Sequence, residues 1–237
     1  PTLEESLENS TDSNSRQGVC IALRELIESS SAASLADFQD IIVNIIRITL
    51  VDGDETVREA AASSFDSFQE AVGKVAVDEV LPYLLNMLES SENSEYALLA
   101  LQETMATKSE VIFPILIPTL LAPPIDAFRA RALGSLAEFA GSALYKRLST
   151  IINALVDTLL LDSNNTDTKK DIEAALDKIF ASVTDDEGLH PLLQQIMALM
   201  KSEDLEKRIV VLERLPSFFN NTNLDYSIYT PEIVSQT

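Results

Sequence analysis

The sequence has no tryptophan, a single histidine, a single cysteine and only 6 glycines among 237 residues. Scarce glycine argues against a sheet-rich fold and against an enzyme built on glycine loops. Walker, GxGxxG and GxSxG motifs are all missing,. His190 stands alone beside Pro191, which supports neither a zinc site nor a Ser-His-Asp triad,. Asp52-x-Asp54-Glu55 lacks the ligand spacing and the glycine of a calcium loop,. No cofactor, metal or catalytic role is therefore expected. Cys20 excludes a disulfide within the chain. Its apolar setting, VCIAL, reads as a buried, inert thiol in a reducing compartment,. Cations are short too: 17 Lys and Arg face 38 Asp and Glu, a net charge of −21. Such a surface is unsuited to tracking phosphates, so direct DNA binding is not expected. Basic partners, or a locally basic strip, remain open.

No apolar run approaches the roughly 18 residues of a membrane span. The most apolar stretch, residues 112–121, is interrupted by Pro114 and Pro118. No signal peptide is visible, and the first residue is Pro1 rather than Met,. The chain reads as a cytoplasmic piece excised from something longer, with no membrane partner. N-x-S/T matches at Asn9, Asn164 and Asn220 have no secretory context and read as chance.

What is present is helical. Hydrophobic residues make up 46% of the chain, enough for a continuous core. The stretch that organises the rest is residues 52–68, DGDETVREAAASSFDSF. Asp52-Gly53-Asp54 makes a turn and offers an N-cap carboxylate. Val57, Ala60, Ala61, Ser64, Phe65 and Phe68 then fall on one helical stripe, whose small members let a neighbour come close,. Other helices are expected at residues 16–28, 35–50, 75–89, 91–106, 109–121, 126–139, 144–161, 167–182, 189–200 and 204–219. Within 35–50 the expected apolar face is Phe38, Ile41, Ile42, Ile45, Ile46 and Thr49. Residues 1–8 read as the tail of a helix, 162–166 as a turn, and 229–237 as the start of another helix.

These helices alternate in pairs that resemble one another. VLPYLLNML and VIFPILIPTL place Pro82 and Pro114 32 residues apart, while Asn153 and Pro191 follow at 39 and 38. VREAAASSF, FRARALGSL and KRIVVLERL align Arg58, Arg129 and Arg208. A two-helix unit repeating every 32–39 residues is an α-solenoid,. The ankyrin TPLH turn and the tetratricopeptide signature are absent. Proline in the first helix and Val-Arg near the start of the second indicate HEAT repeats. A helix proline costs about 3 kcal/mol, so its recurrence points to a built-in bend. The expected architecture is all-α: one array of about six pairs, open at both ends, with approximate repeats 1–30, 35–72, 75–108, 109–142, 144–182 and 186–220.

Arg58, Arg129 and Arg208 recur at one repeat position. The structural reading is a ladder in which each arginine bonds an acidic residue of its own or the next repeat. The functional reading is a basic strip gripping a phosphate or an acidic partner. Arg129 with Arg131, Lys146-Arg147, Lys169-Lys170 and Lys207-Arg208 are the local basic clusters, hence the candidate contacts.

DGDETVREAAASSFDSF, VLPYLLNMLE, EYALLALQETMATKSEVIFPILIPTLLAPP and LAEFAGSALYKRLSTIINAL, in that order, resemble the very large translational activators of general amino-acid control, the general control non-derepressible protein one family. The likeness is to a fungal member, runs to about residue 183 and weakens after residue 185. It implies a non-catalytic HEAT scaffold that binds ribosomes and works with an ABC-type ATPase partner elsewhere on the full-length protein. It also implies activation, in amino-acid starvation, of the kinase acting on initiation factor two, by contact with that kinase's RWD domain. The family's RWD-contacting arginine lies in a second helix, a description that Arg58 and Arg129 both suit. The alternative is a generic HEAT adaptor, such as a phosphatase scaffold.

Overall fold

The computed structural model describes residues 2–88, 93–161 and 166–236. Among these the regular structure is helical throughout, in two compact units, Pro1–Ile112 and Phe113–Thr237. The expected turn at 162–166 lies almost wholly outside the described residues, as does the Asn164 motif.

The first unit contains α1 (Leu3–Glu8), α2 (Ser13–Ser29), α3 (Ala32–Asp37), α4 (Gln39–Leu50), α5 (Glu55–Val72), α6 (Lys74–Leu88) and most of α7 (Ser94–Leu120). Residues 1–8 do not continue a helix. Thr2 opens α1 in a capping box: its hydroxyl accepts from the Glu5 N–H at 3.3 Å, while Glu5 accepts from the Thr2 N–H at 2.9 Å,. Asp12, Ser31 and Asp54 cap α2, α3 and α5. Gly73, at φ 66°, ends α5 in a conformation that a β-carbon would strain,. Second helices α2 and α5 pack along one another through the small residues of the organising stretch. There the Ser64 hydroxyl donates 2.8 Å to the carbonyl of Cys20, possible only because the backbones run close. Phe65 and Phe68 are fully buried beneath them, each stabilising the unit by about 1.5–3 kcal/mol.

The helix expected over 35–50 is broken. Phe38 ends α3 and opens α4, with φ −116° and ψ 12°. Past that break Ile42, Ile45, Ile46 and Thr49 are buried as expected, joined by Val43 and Leu50, while Phe38 and Ile41 are turned outward. A second interruption falls at Lys108, where φ −135° and ψ 44° kink α7 near the expected change of repeat. The Lys108 ammonium reaches Asp66 and Glu70 of α5, both at 3.0 Å.

The second unit takes the end of α7, then α8 (Ala127–Ala137), α9 (Ser142–Tyr145), α10 (Leu148–Leu159), α11 (Thr166–Ala181), α12 (Asp186–Met200), α13 (Leu205–Leu212) and α14 (Leu215–Asn221). A 3-10 turn, Ser227–Tyr229, leads into α15 (Thr230–Gln236). α8 packs along α11, where Gly134 lies so close that a β-carbon would stand 3.1 Å from Ala175 Cα. First helices α10 and α12 also pack side by side, and Gln195 donates 2.8 Å to the Asn153 side chain. The helices expected over 144–161 and 204–219 are each split, at Lys146-Arg147 and at Glu213-Arg214. Pro216, in the first turn of α14, accommodates the second split,. Pro82, Pro114, Pro118 and Pro191 all lie inside helices.

Candidate interaction surface

The aligned arginines share one geometry. Arg58 sits in the first turns of α5, is 6% exposed, and donates through Nη1 to the carbonyls of Asp52 (3.0 Å) and Gly53 (3.2 Å). Arg129 of α8 donates 2.8 Å to the Ala122 carbonyl. Arg208 of α13 donates to the carbonyls of Ser202 (2.6 Å) and Glu203 (3.4 Å). Each acceptor follows the first helix of the same pair, where carbonyls lack an intrahelical donor. In each case the guanidinium reaches back over the turn to a backbone carbonyl, and its charge opposes the negative end of the preceding helix,.

A true inter-repeat ion pair exists at a position the sequence reading passed over. Arg16 stands four residues past its N-cap Asp12, as Arg58 stands four past Asp54. Its Nε and Nη2 hold the two carboxylate oxygens of Asp52 at 2.7 and 3.0 Å. Asp52 Oδ1 also accepts from the Asp54 N–H at 2.9 Å. Burial works to raise the Asp52 carboxyl, but the bonds from Arg16 and the Asp54 N–H outweigh it and hold the group below its ordinary value,. The Arg16 bond correspondingly raises the guanidinium. Asp52 therefore receives Arg16 on its side chain and Arg58 on its carbonyl. The signal in the sequence was the equal spacing of Arg16 and Arg58 from their N-cap aspartates.

The other candidates are dispersed. Arg131 is exposed on α8, its guanidinium 5.9 Å from the centre of the Phe128 ring. Lys146 and Arg147 occupy the break between α9 and α10, the first exposed and the second half-buried. Lys169 is half-buried in the first turn of α11, and Lys170 is exposed, 3.8 Å from Asp167. Lys207 reaches from α13 to Asp157 of α10 at 2.6 Å, a bond that raises its ammonium above the ordinary value. Arg131 and Lys170 lie towards the same end of the packed helices α8 and α11, given that Glu138 pairs with Lys178 further along at 3.6 Å.

Charge is unevenly divided. The first unit carries 6 Lys and Arg against 21 Asp and Glu, a net −15, and the second carries 11 against 17, a net −6. Of the sequence-predicted contacts, only Arg58 belongs to the first unit. Arg214, which the sequence reading left unassigned, is buried at the α13–α14 break. It donates 2.6 Å to the Val210 carbonyl and borders a cavity of about 190 Å³ with Phe180, Phe218 and Leu224. His190 Nδ1 lies 2.6 Å from the Tyr229 hydroxyl, tying the 3-10 turn to α12. Among the described residues no group of three or more His, Cys, Asp or Glu is placed to hold a metal, and no helix is long and apolar enough to cross a membrane.

Residues 112–237 match the family described as stalled ribosome sensor GCN1-like, HEAT repeats. Over 235 residues, 99% of the chain, identity is 69% to the eIF-2-alpha kinase activator GCN1 of Saccharomyces cerevisiae. It is 34% over the same span to the stalled ribosome sensor GCN1 of Mus musculus. To the Dictyostelium discoideum eIF-2-alpha kinase activator GCN1 it is 34% over 227 residues, 94% of the chain. The chain spans only 8–9% of the length of these relatives. The likeness continues beyond residue 185, since the family match runs on to residue 237.

Proposed function

The chain belongs to the GCN1-like HEAT-repeat family, and from that premise we propose that it is a non-catalytic scaffold segment of a ribosome-associated translational activator. In this reading the segment acts in the cytoplasm, through protein–protein contacts that promote activation of the initiation factor two kinase in amino-acid starvation. Its partners are the kinase's RWD domain and the ribosome, while the ABC-type ATPase binds elsewhere on the full-length protein. The observation that carries the reading is 69% identity, over 99% of the chain, to a protein named as a kinase activator. The packing supports a scaffold, since helix after helix spends an apolar stripe on its neighbours,.

The nine candidate cations divide by what their side chains already do. Arg58, Arg129 and Arg208 hold carbonyls, and Lys207 holds Asp157, so their removal loosens turns as well as any contact. Exposed Arg131 and Lys170 are the better probes of recognition. The test titrates the chain separately against purified ribosomes and the RWD domain at low and moderate salt. Variants are Arg131→Ala, Lys170→Ala, Arg58→Ala and Arg129→Ala, each checked for intact helicity. Binding that weakens about five- to tenfold in a fully folded Arg131 or Lys170 variant supports the reading. Binding to neither partner by the intact chain refutes it for this segment.

A further inference from the structure

In the second unit α11 and α14 each bring one charge and one ring to the same place. Asp177 and Phe180 stand three residues apart on α11. Arg214 and Phe218 stand four apart, from the N-cap into α14. Each couple therefore projects to one side of its helix, and all four residues line one cavity,. The two rings meet edge to face, their centroids 6.2 Å apart. Val183, just past α11, and Leu224, in the turn after α14, complete the apolar wall of this cavity of about 190 Å³. The Leu224 N–H donates 3.2 Å to the Thr222 hydroxyl, which fixes that turn.

The charged wall is under-bonded. Arg214 is 8% exposed, and a buried guanidinium ordinarily finds acceptors for its N–H donors, of which it has five,. Here, among the described residues, its one hydrogen bond goes to the Val210 carbonyl. Nε lies 3.3 Å from Asp177 Oδ1, near enough for an ion pair, yet it is sealed from solvent and makes no hydrogen bond. The Asp177 side chain itself is 58% exposed. A cation and an anion thus stand side by side at the border of an apolar cavity. A ligand with one charge would meet one attraction and one repulsion there. A ligand with both charges on neighbouring groups would meet two attractions. Having no net charge, it would also escape repulsion by a unit of net −6,.

We infer that this cavity binds a free α-amino acid with a large apolar side chain, of the size of leucine or phenylalanine. The carboxylate takes unused donors of Arg214, the ammonium takes Asp177, and the side chain enters among Phe180, Phe218 and Leu224,. The volume suits this class. An apolar cavity of about 150 Å³ holds a benzene molecule, so the space here accepts a ring and the few atoms that carry its charges. A polypeptide offers the two charges at opposite ends of its chain, whereas an α-amino acid offers both on one carbon. The inference goes beyond the proposed function and uses none of its candidate cations. A failed titration against ribosomes or the RWD domain therefore leaves it standing.

The test is a ligand-observed NMR titration of the full 237-residue chain with L-phenylalanine and L-leucine, to about 10 mM,. Two analogues of phenylalanine separate its charges: the N-acetyl form lacks the ammonium, and the amide lacks the carboxylate. Each is expected to bind at least about tenfold more weakly than phenylalanine. Asp177→Asn should weaken phenylalanine about fivefold and leave N-acetylphenylalanine no weaker, since only the ammonium loses its partner. Leu224→Trp, which fills the cavity from the turn, should weaken phenylalanine at least about tenfold. Asp167→Asn, which removes the same charge from the start of α11, should change binding less than about twofold. Helicity of each variant is checked by circular dichroism. Absence of binding by both amino acids, analogues that bind as well as phenylalanine, or an affinity unchanged in Asp177→Asn or in Leu224→Trp would overturn the inference.

Discussion

Gly188→Ala should destabilise the second unit even though it replaces the poorer helix former with the best. Gly188 lies in the first turn of α12, and a β-carbon there would stand 2.5, 2.6 and 2.7 Å from three ring carbons of Tyr145. Ordinary contact between carbons is about 3.5–4.0 Å, so the ring must retreat by roughly 1 Å. It has little room, being 6% exposed. Its hydroxyl also donates 3.0 Å to Asp185 Oδ2, while Asp185 Oδ1 caps the helix by accepting from the Gly188 N–H at 2.9 Å. Moving the ring therefore pulls on the N-cap. Helix propensity returns about 0.5–1 kcal/mol. Against that stand about 1–3 kcal/mol of overpacking and about 1.5–3 kcal/mol if the bond to the charged cap is lost. The net expectation is a loss of about 1–4 kcal/mol. Urea unfolding followed by circular dichroism and tyrosine fluorescence would read it. Tyr145→Leu, which removes the ring, should recover at least about 1 kcal/mol of the loss in a double-mutant cycle. A Gly188→Ala chain as stable as the parent, with no coupling to position 145, would refute the steric argument.

Gly134→Ala should cost less, about 1 kcal/mol in the same assay, since its β-carbon meets backbone at 3.1 Å and α8 and α11 need separate by only a few tenths of an ångström,. Arg58→Met removes the donor to two carbonyls and should cost about 1–3 kcal/mol by urea titration with the fold retained,. Asp52 has a depressed carboxyl, so its contribution is complete above the ordinary carboxylate value of about 3.9 and is lost as pH falls through the lower folded value,. Asp52→Asn should therefore lower stability at pH 7 and flatten the decline seen on acidification below about pH 4. Cys20 is fully buried and burial raises its thiol, with its bond to Thr49 only partly offsetting this. Labelling by a thiol reagent at pH 7 should be at least about a hundredfold slower than for a free thiol, and urea should abolish the difference.

The helices were legible because their apolar residues keep helical time, and the pairs because the prolines and the Val-Arg steps recur. The breaks at Phe38, Lys146-Arg147 and Glu213-Arg214 were not. Neither of the first two carries a proline, glycine or N-cap side chain at the break, and the apolar pattern runs on across them; at the third the mark was Pro216, whose preference for the first turn of a new helix fits the split,. Phe38 is the sharpest case, since its place in the pattern suggested core and the break behind it left the ring 60% exposed. The recurring arginine column was visible, but its partners were not, because backbone carbonyls carry no letter in a sequence. Arg16 was hidden for another reason: the residues after it, QGVCIAL, share little with EAAASSF beyond their spacing.

The double role of Asp52 bears on how such arrays can be recombined. Its carbonyl serves the pair it belongs to, and its carboxylate serves the pair before. A chimera joined between α2 and α3 would leave Arg16 without its acid, or Asp52 without its cation, unless the incoming pair supplied a match at the same place. The exchangeable module in this stretch is therefore offset from the helix pair: it begins after the aspartate turn, with α5, and carries the next turn with it. A graft cut at that point keeps Arg16 with the Asp52 carboxylate, and one cut at the apparent repeat boundary separates them.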